Sequence, residues 1–336
     1  MAIENKVFLD GQIQEYRKMI DASNSVKEII IGLYVMRRPQ SAIGNQKGVE
    51  KTDIVLVHVR EKAQIEYLLE KKIIKGDFLQ VVGVYCTLNG QGHFTCKCGA
   101  INLYTKSVSF VHPLWIRTYE VFPKKKEIVK LTPLERISSK DRCRELLQNR
   151  QTVSGQIVAI KELEKDSLGQ YQFLLTIREN VENKTLNSVL KNISETSNHV
   201  YMLGNLCDDP LYHVNENGGR VCSYQLGINR AVFLEQDGVG VRADYPWIKS
   251  VGQQAEQDHM ALHKGSLVWI DGSIQARKDV VIEKICETCG EVARIKRRVM
   301  EIVPYHVEYC RDCNVDNLEV KEEFNGHIGG TPEEDV

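Results

Sequence analysis

Seven of the ten cysteines fall into two clusters, and their spacing is the first chemistry this chain offers. Cys286-x2-Cys289 and Cys310-x2-Cys313 are two C-x2-C knuckles separated by 20 residues. Four thiolates so arranged suit one tetrahedral zinc ion, and the spacing is that of a zinc ribbon spanning 284–314. Gly290, directly after Cys289, relieves the tight knuckle turn. Nothing in the pattern leaves an open fourth position, so the expected ion is structural and not catalytic. In the other cluster, Cys96-Lys97-Cys98-Gly99 follows Cys86 and His93. C-x-C with scattered partners is a weaker pattern: it is compatible with a second metal site but reads more simply as buried or free thiols. Cys143, Cys207 and Cys222 stand apart and read as small buried hydrophobes.

A second constellation lies in Asp244-Tyr245-Pro246-Trp247-Ile248-Lys249-Ser250. Strand alternation puts Tyr245, Trp247 and Lys249 on one face and Ile248 on the other. An aromatic pair beside a cation on an open sheet is what single-stranded nucleic acid needs, because bases stack on rings and a cation tracks phosphates. The alternative is a pair of half-buried core aromatics. Catalytic patterns are missing: there is no Gly-rich loop leading into Lys-Ser/Thr, no Gly-x-Ser-x-Gly and no His-Glu-x-x-His. Asp208-Asp209-Pro210 reads as a turn, and Asp312 lies inside a knuckle. An enzyme is therefore not expected.

Charge sharpens the choice. The chain carries 44 Lys and Arg against 45 Asp and Glu, a net −1, which excludes indiscriminate electrostatic binding. Between Arg277 and Arg298, however, seven basic residues (277, 278, 284, 294, 296, 297 and 298) face four acidic ones, a local excess of three positive charges. No apolar run approaches the ~18 residues that span a bilayer, and the start, MAIENKVFLDGQ, lacks a signal-peptide pattern. A cytoplasmic protein is expected, in which paired cysteines are metal ligands and not disulfides.

The elements that must position these residues are mostly strands. Segments such as 6–13, 26–35, 53–59 and 77–86 are rich in Val, Ile and Leu and are separated by Gly, Asn and Asp. Residues 62–73 form a helix with Ile65, Leu68, Leu69 and Ile73 on one stripe, and a second helix is expected near 139–149. An internal repeat follows: Lys75-Gly76-Asp77-FLQVVG after the first helix matches Lys264-Gly265-Ser266-LVWIDG after 252–263. Three strands, a helix and two strands is the order of an OB-fold, a five-stranded Greek-key barrel. The expected fold is thus dominated by β structure: tandem OB barrels with an inserted zinc ribbon. The domains are an N-terminal barrel (1–118), a linker with helix and hairpin or truncated barrel (119–197), a C-terminal barrel (198–320) and a short acidic tail (321–336).

From Asn198 to Lys278 the chain resembles bacterial single-stranded DNA-binding proteins. The matching blocks are NHVYMLGNLCDDP (198–210), NGGRVCSYQLGINR (217–230), DYPWIKSVGQQAE (244–256) and HKGSLVWIDGSIQARK (263–278), with MEIVPYHVEYC (300–310) as a last strand. The resemblance implies that Tyr245 stands where the family usually has a stacking Trp. It also implies that 231–243 is a hairpin folded over the strand, with Phe233 flanked by Arg230 and Arg242 toward ligand. Arg277, Lys278, Arg294, Lys296, Arg297 and Arg298 are the expected phosphate contacts of the strand-four–five connection. Asp279 departs from the family, which usually places another aromatic after strand four. The acidic end Pro332-Glu333-Glu334-Asp335-Val336 also departs, lacking an apolar aromatic tip. The resemblance implies a non-enzymatic binder of single-stranded DNA in replication or recombination, with a homodimer as the working unit by analogy; the choice between DNA and RNA stays open, since OB barrels bind both polymers. The other class is a primosome-like assembly module whose first barrel binds protein, in line with the few aromatics in DIVLVHV (53–59).

Overall fold

The computed structural model describes residues 4–38, 51–122, 124–131, 141, 144–145, 147, 155–179, 181–230, 232, 235–236, 239–240 and 243–316. The first barrel comprises β1 (Asn5–Ile20), β2 (Val26–Met36), β3 (Thr52–Val59), helix α1 (Lys62–Glu70), β4 (Phe78–Thr95) and β5 (Ile101–Tyr119). A three-stranded sheet follows, from β6 (Lys125–Leu131), β7 (Gly155–Glu162) and β8 (Tyr171–Glu179), then helices α2 (Asn183–Asn192) and α3 (Ser194–Ser197). The second barrel begins with β9 (Asn198–Leu206), β10 (Leu211–Val214) and β11 (Arg220–Asn229). The short strands β12 (Glu235–Gln236), β13 (Val239–Gly240) and β14 (Ala243–Asp244) lead into β15 (Trp247–Val251). Helix α4 (Gln253–Ala261), β16 (Leu267–Ile285) and β17 (Val292–Arg311) complete it.

Both units are OB barrels, as the repeat predicts. In each, the third strand runs parallel to the fifth, Val57 opposite Val111 and Ile248 opposite Ile302. Antiparallel pairing of β1 with β4 and of β9 with β16 closes the ring, with the helix between the third and fourth strands. Strict alternation drives this: every second residue of β9, from Asn198 to Leu206, is buried. The Lys-Gly turn is the same in both copies, with Gly76 at φ +94° and Gly265 at φ +92°. Only glycine adopts that left-handed region without a Cβ clash. A polar signature is also duplicated. Asn5 exchanges two hydrogen bonds with the Tyr85 backbone (2.8 and 2.9 Å), and Asn198 does so with that of Ile274 (2.8 and 2.9 Å).

The barrels join edge to edge through antiparallel β1 and β9, centred on Val7 opposite Val200, and share one continuous apolar core. Each fourth–fifth hairpin is far longer than a barrel wall and runs over the other barrel. The crossing is held by matching latches. Arg37 pairs with Asp53 at 2.6 Å, and Asp53 accepts the Ala276 N–H at 2.8 Å from the second barrel's hairpin. Reciprocally, Arg230 pairs with Asp244, which accepts the Thr87 N–H at 2.6 Å from the first barrel's hairpin. These carboxylates are almost fully buried, and a buried charge persists only when paired and hydrogen-bonded.

Between the barrels, β7 and β8 form a hairpin with Gly169 in its turn at φ +72°. With β6 they make a sheet around Leu131, Phe173, Leu175 and Ile177. Residues 141, 144, 145 and 147 are helical, and Leu147 enters that core. Sequence reasoning missed α2, whose Leu186 and Leu190 pack on Met36 and Phe78 of the first barrel.

Candidate nucleic-acid interface and metal centre

Strand β15 lies between β11 and the parallel β17, so one of its faces is core and the other is open. Ile248 is fully buried, while Trp247 keeps 43% and Tyr245 48% of its surface exposed. Lys249 is partly exposed beside Trp247 on the same face, opposite Ser223 of β11. The alternation read from DYPWIKS is therefore the observed one. Tyr245 is set by the other barrel, since its backbone N–H donates to Thr87 Oγ1 at 2.8 Å. No local signal in the sequence could have found that partner, 158 residues away.

Among the described residues of the first barrel, the corresponding strand β3 carries no Tyr or Trp. The register places Ile54, Leu56 and His58 at the positions of Tyr245, Trp247 and Lys249. Leu56 lies under the second barrel's hairpin, its N–H donating to Met300 Sδ at 3.5 Å. His58 is buried against Glu28 (2.8 Å) and stacked on Phe110 with centroids 4.4 Å apart.

The expected phosphate contacts separate into groups. Arg230 is a correction: its side chain is 1% exposed, pairs with Asp244 and donates to the Thr87 carbonyl at 2.8 Å. It belongs to the latch, because β11 ends where the first barrel's hairpin crosses. Arg298 forks onto Glu15 of β1 at 2.6 and 3.2 Å. Arg277 pairs with Glu301, and Arg294 with Glu283 at 3.1 Å, the latter pair on the exposed face of the hairpin. Lys296 is exposed and Arg297 partly buried on the same arm. Phe233, Arg242 and the Lys278 side chain lie outside the described residues. Much of the basic excess seen between 277 and 298 is thus spent on acids of the arm or of the other barrel.

The cysteines regroup. Cys286 and Cys289 occupy the turn of the β16–β17 hairpin, whereas Cys310 stands at its base, in the register shift between Tyr309, opposite Val268, and Arg311, opposite Leu267. From Val292 to Cys310 the chain is one uninterrupted strand, roughly 60 Å at about 3.3 Å per residue. The expected set Cys286, Cys289, Cys310 and Cys313 is therefore not brought together, and 284–314 is an arm with no ribbon. The spacing misled because the chain reverses at the first knuckle and never returns to it. Instead, Cys96 and Cys98, at the tip of the first barrel's arm, meet Cys286 and Cys289 with all four Sγ atoms within 4.8 Å of one another. Cys96 and Cys286 are buried, Cys98 and Cys289 exposed. Hydrogen bonds, the Cys289 backbone N–H foremost, hold the Cys286 thiol well below its ordinary pKa. The cluster is a set of soft ligands able to hold a metal ion. Cys86 is elsewhere, in an apolar cluster with Phe110 where burial pushes its thiol up to about 12.

Closed five-stranded barrels with this strand order, and a helix between the third and fourth strands, are OB-folds. Residues 197–283, within the second barrel, match the family model described as the single-strand binding protein family. Over 80 residues the chain is 36% identical to "Single-stranded DNA-binding protein A" of Bacillus subtilis (strain 168), a stretch amounting to 24% of this chain. The match spans 45% of that relative's length. Among solved structures, a deletion mutant of the single-stranded DNA binding protein from Thermus aquaticus aligns over 93% of this chain and 97% of its own, at 14% identity and TM-score 0.47. The wild-type form covers 93% and 95%, at 12% identity and TM-score 0.46.

Proposed function

We propose that this protein binds single-stranded DNA through the outer face of its second barrel. The observation that carries the reading is the exposure of Tyr245 and Trp247 on β15 while Ile248, between Trp247 and Lys249, is fully buried. Bases stack on the two rings, and Lys249 neutralises a phosphate nearby. The match of residues 197–283 to the model of the single-strand binding protein family supports this reading. The role is to protect and organise single strands in replication or recombination, in the cytoplasm and without catalysis. A structural zinc ion and a homodimer, which would present four barrels, complete the proposal.

Fluorescence titration of the full chain with an unstructured oligodeoxynucleotide, at several salt concentrations, tests it. Binding should quench tryptophan emission and weaken linearly in log–log form as salt rises. Unchanged affinity and quenching after Trp247→Ala would show that the DNA lies on another face. A matched oligoribonucleotide that binds more tightly would reassign the ligand to RNA.

A further inference from the structure

Beyond the two latches, each arm is a bare two-stranded ribbon, and such ribbons are marginal in water on their own. The two arms nevertheless converge. Tyr104 of β5 lies under the Lys284 ammonium of β16, 5.7 Å from ring centroid to nitrogen. Lys97 pairs with Glu291 at 2.8 Å across the same junction. At the end stand four thiols, two from each barrel. Cys96 Sγ is 3.6 Å from Cys289 Sγ, and Cys98 Sγ is 3.8 Å from Cys286 Sγ.

A tetrahedral ion with metal–sulfur bonds of about 2.3 Å spreads its sulfurs about 3.8 Å apart. The two cross-arm distances match that value, and the remaining sulfur pairs lie within 4.8 Å. Both pairs are also built as knuckles. Gly99 (φ +88°) and Gly290 (φ +74°) close the turns, their N–H groups donating at 2.9 Å to the carbonyls of Cys96 and Cys286. An outer partner is in place, as ligand shells require. Asn102 Nδ2 donates to Cys286 Sγ at 3.3 Å, and its Oδ1 accepts the Glu287 N–H at 2.9 Å.

We infer that Cys96, Cys98, Cys286 and Cys289 bind a single zinc ion that clasps the two barrels' arms into one arch. The ion is shared between two folding units, so metal loading and the ordering of both arms are one equilibrium. Neither C-x2-C pair of the second barrel suffices, and the C-x-C of the first is half of the site. Four thiolates around a divalent cation carry a net charge of −2, so the tip itself repels phosphate. The clasp holds the arms; it does not touch DNA.

Metal analysis of the full chain, purified under reducing conditions, should find one zinc per protein. Cys98→Ser in the first barrel and Cys289→Ser in the second should each reduce zinc severalfold, whereas Cys310→Ser and Cys313→Ser should leave it at one. Because a ligand variant can misfold, the wild-type protein supplies a second readout. Chelation should raise amide hydrogen exchange in 91–105 and 282–296 together, while β1 and β9 stay protected. Zinc that survives Cys98→Ser but is lost with Cys310→Ser would overturn the ligand set. A coloured iron centre, or no metal after reconstitution with zinc, would overturn the ion. None of these readouts involves DNA, so the clasp and the DNA-binding reading fail separately.

Discussion

Trp247 and Arg230 are both residues that sequence reasoning assigns to ligand, and the structure parts them. Trp247 projects from a strand whose next residue is core, so alternation alone decides its direction. Its replacement by Ala removes one stacking platform worth ~1–3 kcal/mol, and the dissociation constant for single-stranded DNA should rise roughly 5- to 150-fold. Lys249→Gln should leave the quenching intact and reduce the log–log salt slope by about 0.7, the value for one phosphate contact on a single strand. Arg230→Met should behave differently. It strands Asp244, fully buried, without its cation. The expected loss is ~3–5 kcal/mol of stability, read as a lower denaturant midpoint. A variant that lost affinity at unchanged stability would return Arg230 to the binding face. Its environment was not legible because the partner hairpin comes from Thr87, 143 residues earlier in the chain.

At the scale of elements, the repeat was readable and the reach of its hairpins was not. Gly76 and Gly265 announce the same turn before the same strand, and both copies continue to a glycine facing a proline, Gly83 opposite Pro113 and Gly272 opposite Pro304. There a Cβ would lie 2.4 Å from the His112 carbonyl oxygen in one barrel and 2.6 Å from that of Val303 in the other. Backbone cannot yield as a flexible side chain does, so Gly272→Ala should destabilise the second barrel by ~1–3 kcal/mol in denaturant unfolding. The end of β2 offers a pH-dependent case. Burial alone would raise the Glu28 pKa, but hydrogen bonds from His58 and Arg60 outweigh it and hold the carboxyl at about 2. A depressed pKa contributes stability that is present above the ordinary value near 4.5 and lost as pH falls through about 2. Glu28→Gln should flatten that acid limb of the stability profile, read as the denaturant midpoint between pH 2 and pH 5.

The whole molecule is an edge-to-edge pair of barrels whose arms are exchanged, latched and brought tip to tip. The exchange explains how one aromatic face is open while its counterpart is closed. Met300 of the second arm covers Leu56, whereas Thr87 of the first arm only brackets Tyr245 and leaves its ring exposed. Among the described residues, β15 therefore keeps an open aromatic face where β3 does not. A fragment covering 198–316 has to fold without the β1 edge, without the Thr87 latch and with half of the thiolate cluster. We expect it to bind DNA more weakly than the full chain and to bind zinc well below one per protein. Equal affinity and full zinc in the fragment would show that the arms contribute nothing. Sedimentation of the full chain should give the mass of two chains if the dimer is correct.

The sequence by itself determined what depends on near neighbours. Two-residue alternation set the faces of β9 and β15, a glycine after each helix set the turn, and the order of strands and helix set the barrel. It also marked cysteine pairs as knuckles, because two thiols and a glycine within a few residues are local chemistry. Only the tertiary structure decided which pairs meet, which arginines are spent in buried latches, and which barrel keeps an open face. Those outcomes rest on contacts between one barrel and the other's hairpin, more than 140 residues apart, and the length of each hairpin reads in sequence as two more strands.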